Sequence, residues 1–391
     1  MRDNKTLKIL LNTIRIILGL SLLYFALIKA LDPTGSSFEI NEKLNIIFGT
    51  DKVRFISLIL TVFLITVEFS IGVNLVFKFF PKITASATLI LFLAYAPVSY
   101  FVAQANPYYS GVSCSPLNIS NRQLFIFNMI FLLLAIILFF FKKKLKTNEK
   151  INERRQLSWL LTANMVLYFF LLINYSFDPI IDFSCYPKGT DLNKKIENYY
   201  LNTKKYHNYK VKLLYFNNKT KKFKYFSEKK IPWKDSNWIW INTKLIPHKY
   251  TRKGEITNFC IYNSLGRDIT DSLLHLKEPV VFIVSYDLKN VNIRGFRKSL
   301  QFARKFRDQY FPVAYCLTSA DQQTVDSIIE LSGAYDIEFC YTNENFLRAL
   351  VSSNPAIVIL KDGVIISKRH YNLLPDLKKH NYYMTKIRKR K

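Results

Sequence analysis

Five apolar stretches decide what this chain can become: residues 9–28, 55–77, 83–102, 124–141 and 157–175. The first holds a single charge, Arg15, the second a single charge, Glu68, and the other three hold none. A bilayer core of roughly 30 Å takes about 20 helical residues, so each stretch is long enough to cross. Five transmembrane helices are therefore predicted, and a wholly soluble enzyme is excluded. The first stretch follows Arg2, Lys5 and Lys8 in the manner of a secretory leader. It is longer than a typical leader core and has no clear small-x-small cleavage site, so it is read as a retained helix.

Charge then orients the bundle. The chain carries 56 Lys and Arg against 28 Asp and Glu, a formal +28 that in a soluble protein would first suggest nucleic acid. A mean hydropathy of +0.06 does not fit such a protein and points to two averaged compositions. Residues 1–175 hold 18 basic and 8 acidic side chains, whereas residues 176–391 hold 38 and 20. The N-terminal stretch, the loop at Lys78 and Lys82 and the segment 142–155 together carry twelve Lys and Arg. The opposite side carries five: Lys29, Lys43, Lys52, Arg54 and Arg122. Short basic loops stay in the cytoplasm. The N-terminus is therefore expected inside, and everything beyond residue 175 outside, where its excess of lysine serves solubility or anionic headgroups rather than nucleic acid.

Ionisable side chains within a bilayer are costly and face a partner or a cavity. Counted from the inner ends of their stretches, Arg15 and Glu68 differ in depth by only about 4–5 Å. An Arg15–Glu68 ion pair is predicted, either as a clamp between two helices or as a polar floor for a small hydrophobic ligand such as a quinone.

The spacing Arg15-x3-Gly19-x9-Lys29-x2-Asp32-Pro33, with Phe38 beyond, resembles the first-helix signature of the DoxX/MauE family of four-helix membrane proteins. Glu68-x3-Gly72 is similar to that family's second-helix motif. Pro179-Ile180-Ile181-Asp182-Phe183 and Asp268-Ile269-Thr270 resemble segments of a bacterial branch that adds one helix and an extracytoplasmic thioredoxin-like domain. The resemblance implies a role in redox chemistry or disulfide maturation at the bacterial cytoplasmic membrane. Members of that branch commonly carry Cys-Gly-Cys-Phe-Gly before helix 4. The matching place here reads Ser110-Gly111-Val112-Ser113-Cys114, with one sulfur where two are needed to form and resolve a mixed disulfide.

Beyond the membrane part, residues 209–216 and 222–227 alternate about Asn217-Asn218-Lys219-Thr220 and predict a hairpin. Alternation places its aromatics on one face and its lysines on the other, which argues against a nucleic-acid surface. From residue 280 strands and helices alternate and end in a hairpin across Asp362-Gly363, which predicts an α/β domain. Asn354 to Gly363 resembles the thioredoxin segment in which a cis-proline precedes that hairpin, and Pro355 is the candidate for it. A thiol motif would follow the first strand near Ser285-Tyr286-Asp287-Leu288-Lys289-Asn290, where there is no cysteine. The five cysteines (Cys114, Cys185, Cys260, Cys316, Cys340) form no Cys-x-x-Cys, and Cys316 and Cys340 are expected as buried free thiols. The five histidines lack ligand spacing, so no metal site is expected, nor any resident cofactor.

The expected organisation is a four-helix DoxX/MauE-like membrane domain over residues 1–145 and a linker with the fifth helix at 146–176. A β-rich segment follows at 177–275, then a thioredoxin-like α/β domain at 276–377 and a basic tail at 378–391. Missing dithiols argue against an enzyme and favour an accessory protein that docks an exported partner. The rival reading is a quinone-linked oxidoreductase subunit working through Arg15 and Glu68. A small-molecule transporter comes third, since no inverted repeat is apparent.

Overall fold

The computed structural model describes residues 2–48, 54–105, 119–145, 151–179, 181–182, 184–196, 209–217, 222–227, 232, 235, 237–247, 260–310 and 313–374. Among them, five helices are long and apolar enough to cross a membrane. These are α1 (Arg2–Leu31), α3 (Arg54–Phe77), α4 (Pro81–Ala105), α5 (Asn121–Phe140) and α6 (Glu153–Ser176). Between the first two apolar stretches, the residues after Asp32 form a further helix, α2 (Pro33–Phe48), where hydropathy marks none. Its polar content hides it from a hydropathy scan, whereas proline at the first helical position favours a helix start.

The close approach of α1 and α3 is built from absent side chains. A Cβ on Gly72 would lie 2.8 Å from Leu23 Cγ and 3.0 Å from the Gly19 carbonyl oxygen, and one on Gly19 would lie 2.9 Å from Val76. Small residues let membrane helices meet backbone to backbone where lipid supplies no hydrophobic drive. Around this crossing, Leu11, Ile14, Leu18, Leu22, Leu75 and Leu138 are buried.

Residues 194–255 form a separate compact unit, narrower than the expected β-rich segment 177–275, because the residues on either side group with the rest of the chain. Its sheet runs β2 (Lys222–Ser227), β1 (Tyr209–Asn217), β3 (Trp238–Pro247), all antiparallel. Phe226 meets Tyr215 and Trp238 edge to face at 5.5 and 4.9 Å, so these aromatics contact one another.

The α/β domain has a five-stranded sheet of order β6-β5-β4-β7-β8. Strands β4 (Val280–Ser285), β5 (Val313–Thr318) and β6 (Glu338–Tyr341) are parallel, while β7 (Ala356–Lys361) and β8 (Val364–His370) are antiparallel. The helices are α7 (Thr270–Leu274), α8 (Ile293–Tyr310), α9 (Gln322–Ser332) and α10 (Glu344–Leu350). Every residue of β4 is buried, as expected of a strand covered on both faces. Val281, Ile283, Ile357 and Ile359 pack with Phe296, Leu300, Phe306 and Phe339 on one of them. The β7–β8 turn places Asp362 and Gly363 at φ of 50° and 69°, the left-handed pair a two-residue hairpin requires. The Asn354–Pro355 bond is cis. Strand order, helix placement and this proline together make the domain thioredoxin-like.

The chain leaving α6 runs along β8. Gly189 N donates to Ile365 O at 2.8 Å, Ile365 N to Thr190 O at 2.9 Å and Leu192 N to Gly363 O at 2.8 Å, which covers an otherwise open sheet edge. Lys368 Nζ donates to Asp182 Oδ2 at 3.0 Å, Ser184 Oγ at 2.6 Å and the Tyr186 carbonyl at 3.1 Å. His370 N donates to Asp178 Oδ1 at 2.5 Å. These bonds make the membrane bundle and the α/β domain parts of one compact unit.

Two outcomes are expected in chemical unfolding of the full-length protein. Gly72→Val forces α1 and α3 apart and costs about 1–3 kcal/mol, as overpacking does. Lys368→Met strands Asp182 and costs about 2–3 kcal/mol, discounted from a fully buried pair because Asp182 keeps some solvent.

Candidate functional site

Glu68 is 1% exposed and lies within the bundle. The expected Arg15–Glu68 pair is replaced by a different one: Lys29 Nζ donates to Glu68 Oε1 at 2.5 Å, and so does the Tyr95 hydroxyl at 2.5 Å. Arg15 instead donates to the carbonyls of Leu75 and Val76, the latter at 3.1 Å. The reason is geometric. The Arg15–Val76 bond and the Gly19–Gly72 contact set an antiparallel register that brings Glu68 level with about Leu23, roughly 12 Å beyond Arg15 at 1.5 Å per residue. Side chains lean toward the N-terminus of their own helix. Arg15 therefore leans away from Glu68, whereas Lys29 and Glu68, on antiparallel helices, lean toward each other. Measuring depth from the ends of apolar stretches misses both effects, and Tyr95 carried no sequence signal beyond its place in an apolar run.

The chemistry of this cluster is that of a fixed carboxylate with a cation and a hydroxyl donor on one oxygen. Glu68 Oε2 has no hydrogen-bond partner among the described residues. The Lys29 ammonium also stands 5.9 Å from the Tyr95 ring centroid. Of the other signature residues, Gly19 and Gly72 form the helix crossing, and Asp32 and Pro33 lie at the start of α2.

Nucleophilic sulfur is scarce. Cys316 and Cys340 are free, fully buried and on neighbouring strands. Burial pushes the Cys316 thiol well up, and burial with the Glu338 charge pushes Cys340 up to about 12. A thiol held that high is not a thiolate at neutral pH, and the thiolate is the reactive form. Cys260 is also free and raised by burial, while Cys185 is disulfide-bonded. Ser110, Gly111, Val112 and Cys114 lie outside the described residues. After β4, where the thiol motif was sought, Ser285 Oγ donates to Asn354 Oδ1 at 2.7 Å and Asn354 Nδ2 to Asp287 O at 2.6 Å. Polar side chains thus bridge that turn to Pro355. Among the described residues, no group of three His, Cys, Asp or Glu is placed to hold a metal ion.

A cavity of about 210 Å³ lies where α6 meets the α/β domain, lined by Asn174, Tyr175, Asp178, Lys368 and His370 among others. Its charges are largely neutralised in place. Burial raises the Asp182 carboxyl, but Lys368 and the hydrogen bonds of Ser184 together hold it below the usual range; burial raises Asp178, and burial with the Asp182 charge raises Asp32. His370 is 5% exposed, and burial lowers its ring to about 4. Below pH 6.5 the unfolded chain protonates this histidine first, so folding loses stability as pH falls from 6.5 toward 4. Asp178 and Asp32, whose carboxyls are raised on folding, act in the opposite sense. Comparison with His370→Asn, which keeps an acceptor for the Asn372 amide, isolates the histidine. The parent is expected to lose about 2 kcal/mol more than the variant between pH 7 and pH 4, after allowing for solvent in the cavity.

Residues 7–141 match the family model described as methylamine utilisation protein MauE. No curated protein matches the chain. Among solved structures, a thioredoxin-like protein from Porphyromonas gingivalis aligns at 18% identity and TM-score 0.25, over 33% of this chain and 87% of that one. A putative protein disulfide isomerase from Bacteroides thetaiotaomicron aligns at 14% and 0.25, over 34% and 82%. Reduced Prx3 from Vibrio vulnificus, in complex with H2O2, aligns at 11% and 0.23, over 34% and 93%. The fold of the α/β domain rests on its own strand order and cis-proline rather than on these overlaps. Residues 7–141 are thus similar to the MauE family and form a membrane-type helical unit, and the same chain carries an α/β domain of thioredoxin-like strand order.

Proposed function

We propose that this protein is an accessory factor for redox or protein maturation on the extracytoplasmic side of the bacterial cytoplasmic membrane. Its N-terminus is cytoplasmic, and its thioredoxin-like domain works by binding an exported partner rather than by dithiol exchange. The observation that carries this reading is the turn after β4, where a Ser285–Asn354–Asp287 hydrogen-bond chain stands in the place of a thiol pair. The buried, protonated thiols of Cys316 and Cys340 support it, because neither can attack a disulfide.

One observation favours a second reading, a quinone-linked oxidoreductase subunit. Glu68 Oε2 is a buried acceptor without a donor among the described residues, beside Tyr95 and Lys29. Such atoms call for an explanation, and a hydroxyl-bearing ligand is one.

Full-length protein in lipid nanodiscs separates the two. It is expected to reduce insulin disulfides no faster than an added thiol reductant does alone, and to leave the absorbance of added menaquinol unchanged when a soluble one-electron oxidant such as ferricyanide is supplied as acceptor. Quinol oxidation that Glu68→Gln lowers at least about tenfold, roughly 1.4 kcal/mol of barrier, transfers the conclusion to the oxidoreductase. Disulfide reduction that disappears with Cys114→Ser overturns the non-thiol mechanism.

A further inference from the structure

Open α/β sheets take their ligands at the carboxyl ends of their strands. In the α/β domain that edge begins at Tyr286, the residue after β4, and the loop after α10 folds beside it: the Tyr286 hydroxyl donates to the Ser352 carbonyl at 3.4 Å. This edge is already occupied, and its occupant is α2 of the membrane unit. The Phe38 ring meets Tyr286 edge to face at 5.1 Å, and the Arg348 guanidinium lies 5.0 Å from the Phe38 centroid. Ser352 Oγ donates to Asp32 Oδ2 at 2.8 Å. Asp32 also starts α2, its Oδ1 accepting from Gly35 N at 2.8 Å and its carbonyl from Ser36 N at 3.0 Å. One carboxylate thus caps the helix and holds the domain.

On its other side α2 packs against α3 and α4, the helices that carry Glu68 and Tyr95. Ser36 Oγ donates to the Lys29 carbonyl at 3.3 Å. Ser37 and Asn41, one turn apart on α2, are each 5% exposed. The helix therefore lies between the α/β domain and the end of the bundle that holds the polar cluster.

We propose that the strand-end edge of the α/β domain is a binding surface for α2, and that α2 held there is a removable cap over the Lys29–Glu68–Tyr95 cluster. Two features make the cap removable. Among the described residues, its hold on the domain includes the Phe38–Tyr286, Phe38–Arg348 and Asp32–Ser352 contacts, which are polar and aromatic. Asn41 Oδ1 on the cap itself and Glu68 Oε2 in the cluster are buried without donors among the described residues, and an unmade buried bond costs free energy that water would relieve on opening. The helix itself carries Glu39, Glu42 and Lys43, so a released α2 moves toward water and headgroups, not into the bilayer core. This inference stands whether or not an exported partner docks, since it concerns a contact within one chain.

Hydrogen exchange of the full-length protein in nanodiscs tests it. With Tyr286→Ala and Ser352→Ala together, amides of residues 36–41 are expected to exchange about tenfold faster, while those of α1 and α4 keep parent rates, the pattern of local rather than global opening. Unchanged exchange in 36–41 overturns the proposal. Should that variant unfold throughout, a second comparison decides: Asp32→Cys with Ser352→Cys, in a Cys260→Ser background, measured before and after bridging by a short bifunctional thiol reagent. Slower α2 exchange after bridging supports the clamp, and equal exchange overturns it.

Discussion

The Lys368 ammonium is the contact on which the arrangement of the chain depends. It sits on β8 and meets a carboxylate, a hydroxyl and a carbonyl of the segment that leaves α6. Three donors find three acceptors, which is what a point-like ammonium offers and a planar guanidinium does not. Burial lowers its affinity for a proton, and the carboxylates of Asp182, Asp32 and Asp178 oppose that. A membrane helix and a soluble sheet thereby share one framework, and the contacts of α2 with the domain follow from that framework.

The distribution of polar groups then acquires a common logic. Asp32, Pro33 and Phe38 extend a first-helix signature past the end of α1, and in the structure they start α2 and meet the α/β domain. Glu68 belongs to the bundle interior, and Lys29 reaches it from the last turn of α1 with its side chain partly exposed. A single stretch of sequence therefore links an intramembrane ion pair to a soluble domain through a helix of sixteen residues.

Much of this was legible in the residues. Apolar length announced the five spanning helices, and strand–helix alternation with Asp362-Gly363 announced the α/β domain and its final hairpin. What escaped has physical causes. Helix α2 mixes Ser36, Ser37, Asn41 and Glu42 with Phe38 and Leu44, because it faces two different protein surfaces, and no single period marks such a helix. The partner of Glu68 depended on the antiparallel register and on side-chain lean, neither of which is written in distance along the chain. Tyr95 joined that cluster through a hydroxyl that hydropathy scores as part of an apolar run.

The Gly19–Gly72 crossing has a consequence for the cation beside it. Arg15 is solvated inside the bundle by the carbonyls of Leu75 and Val76, two residues against which Gly19 lies in contact. Those oxygens stand in for the water that the bilayer excludes. Their distance from the guanidinium is set by how near α3 can come, and therefore by the missing carbon at position 19. A vacancy on one turn of α1 thus tunes the local dielectric felt by a charge one turn earlier, and glycine here behaves as part of the arginine's solvation shell.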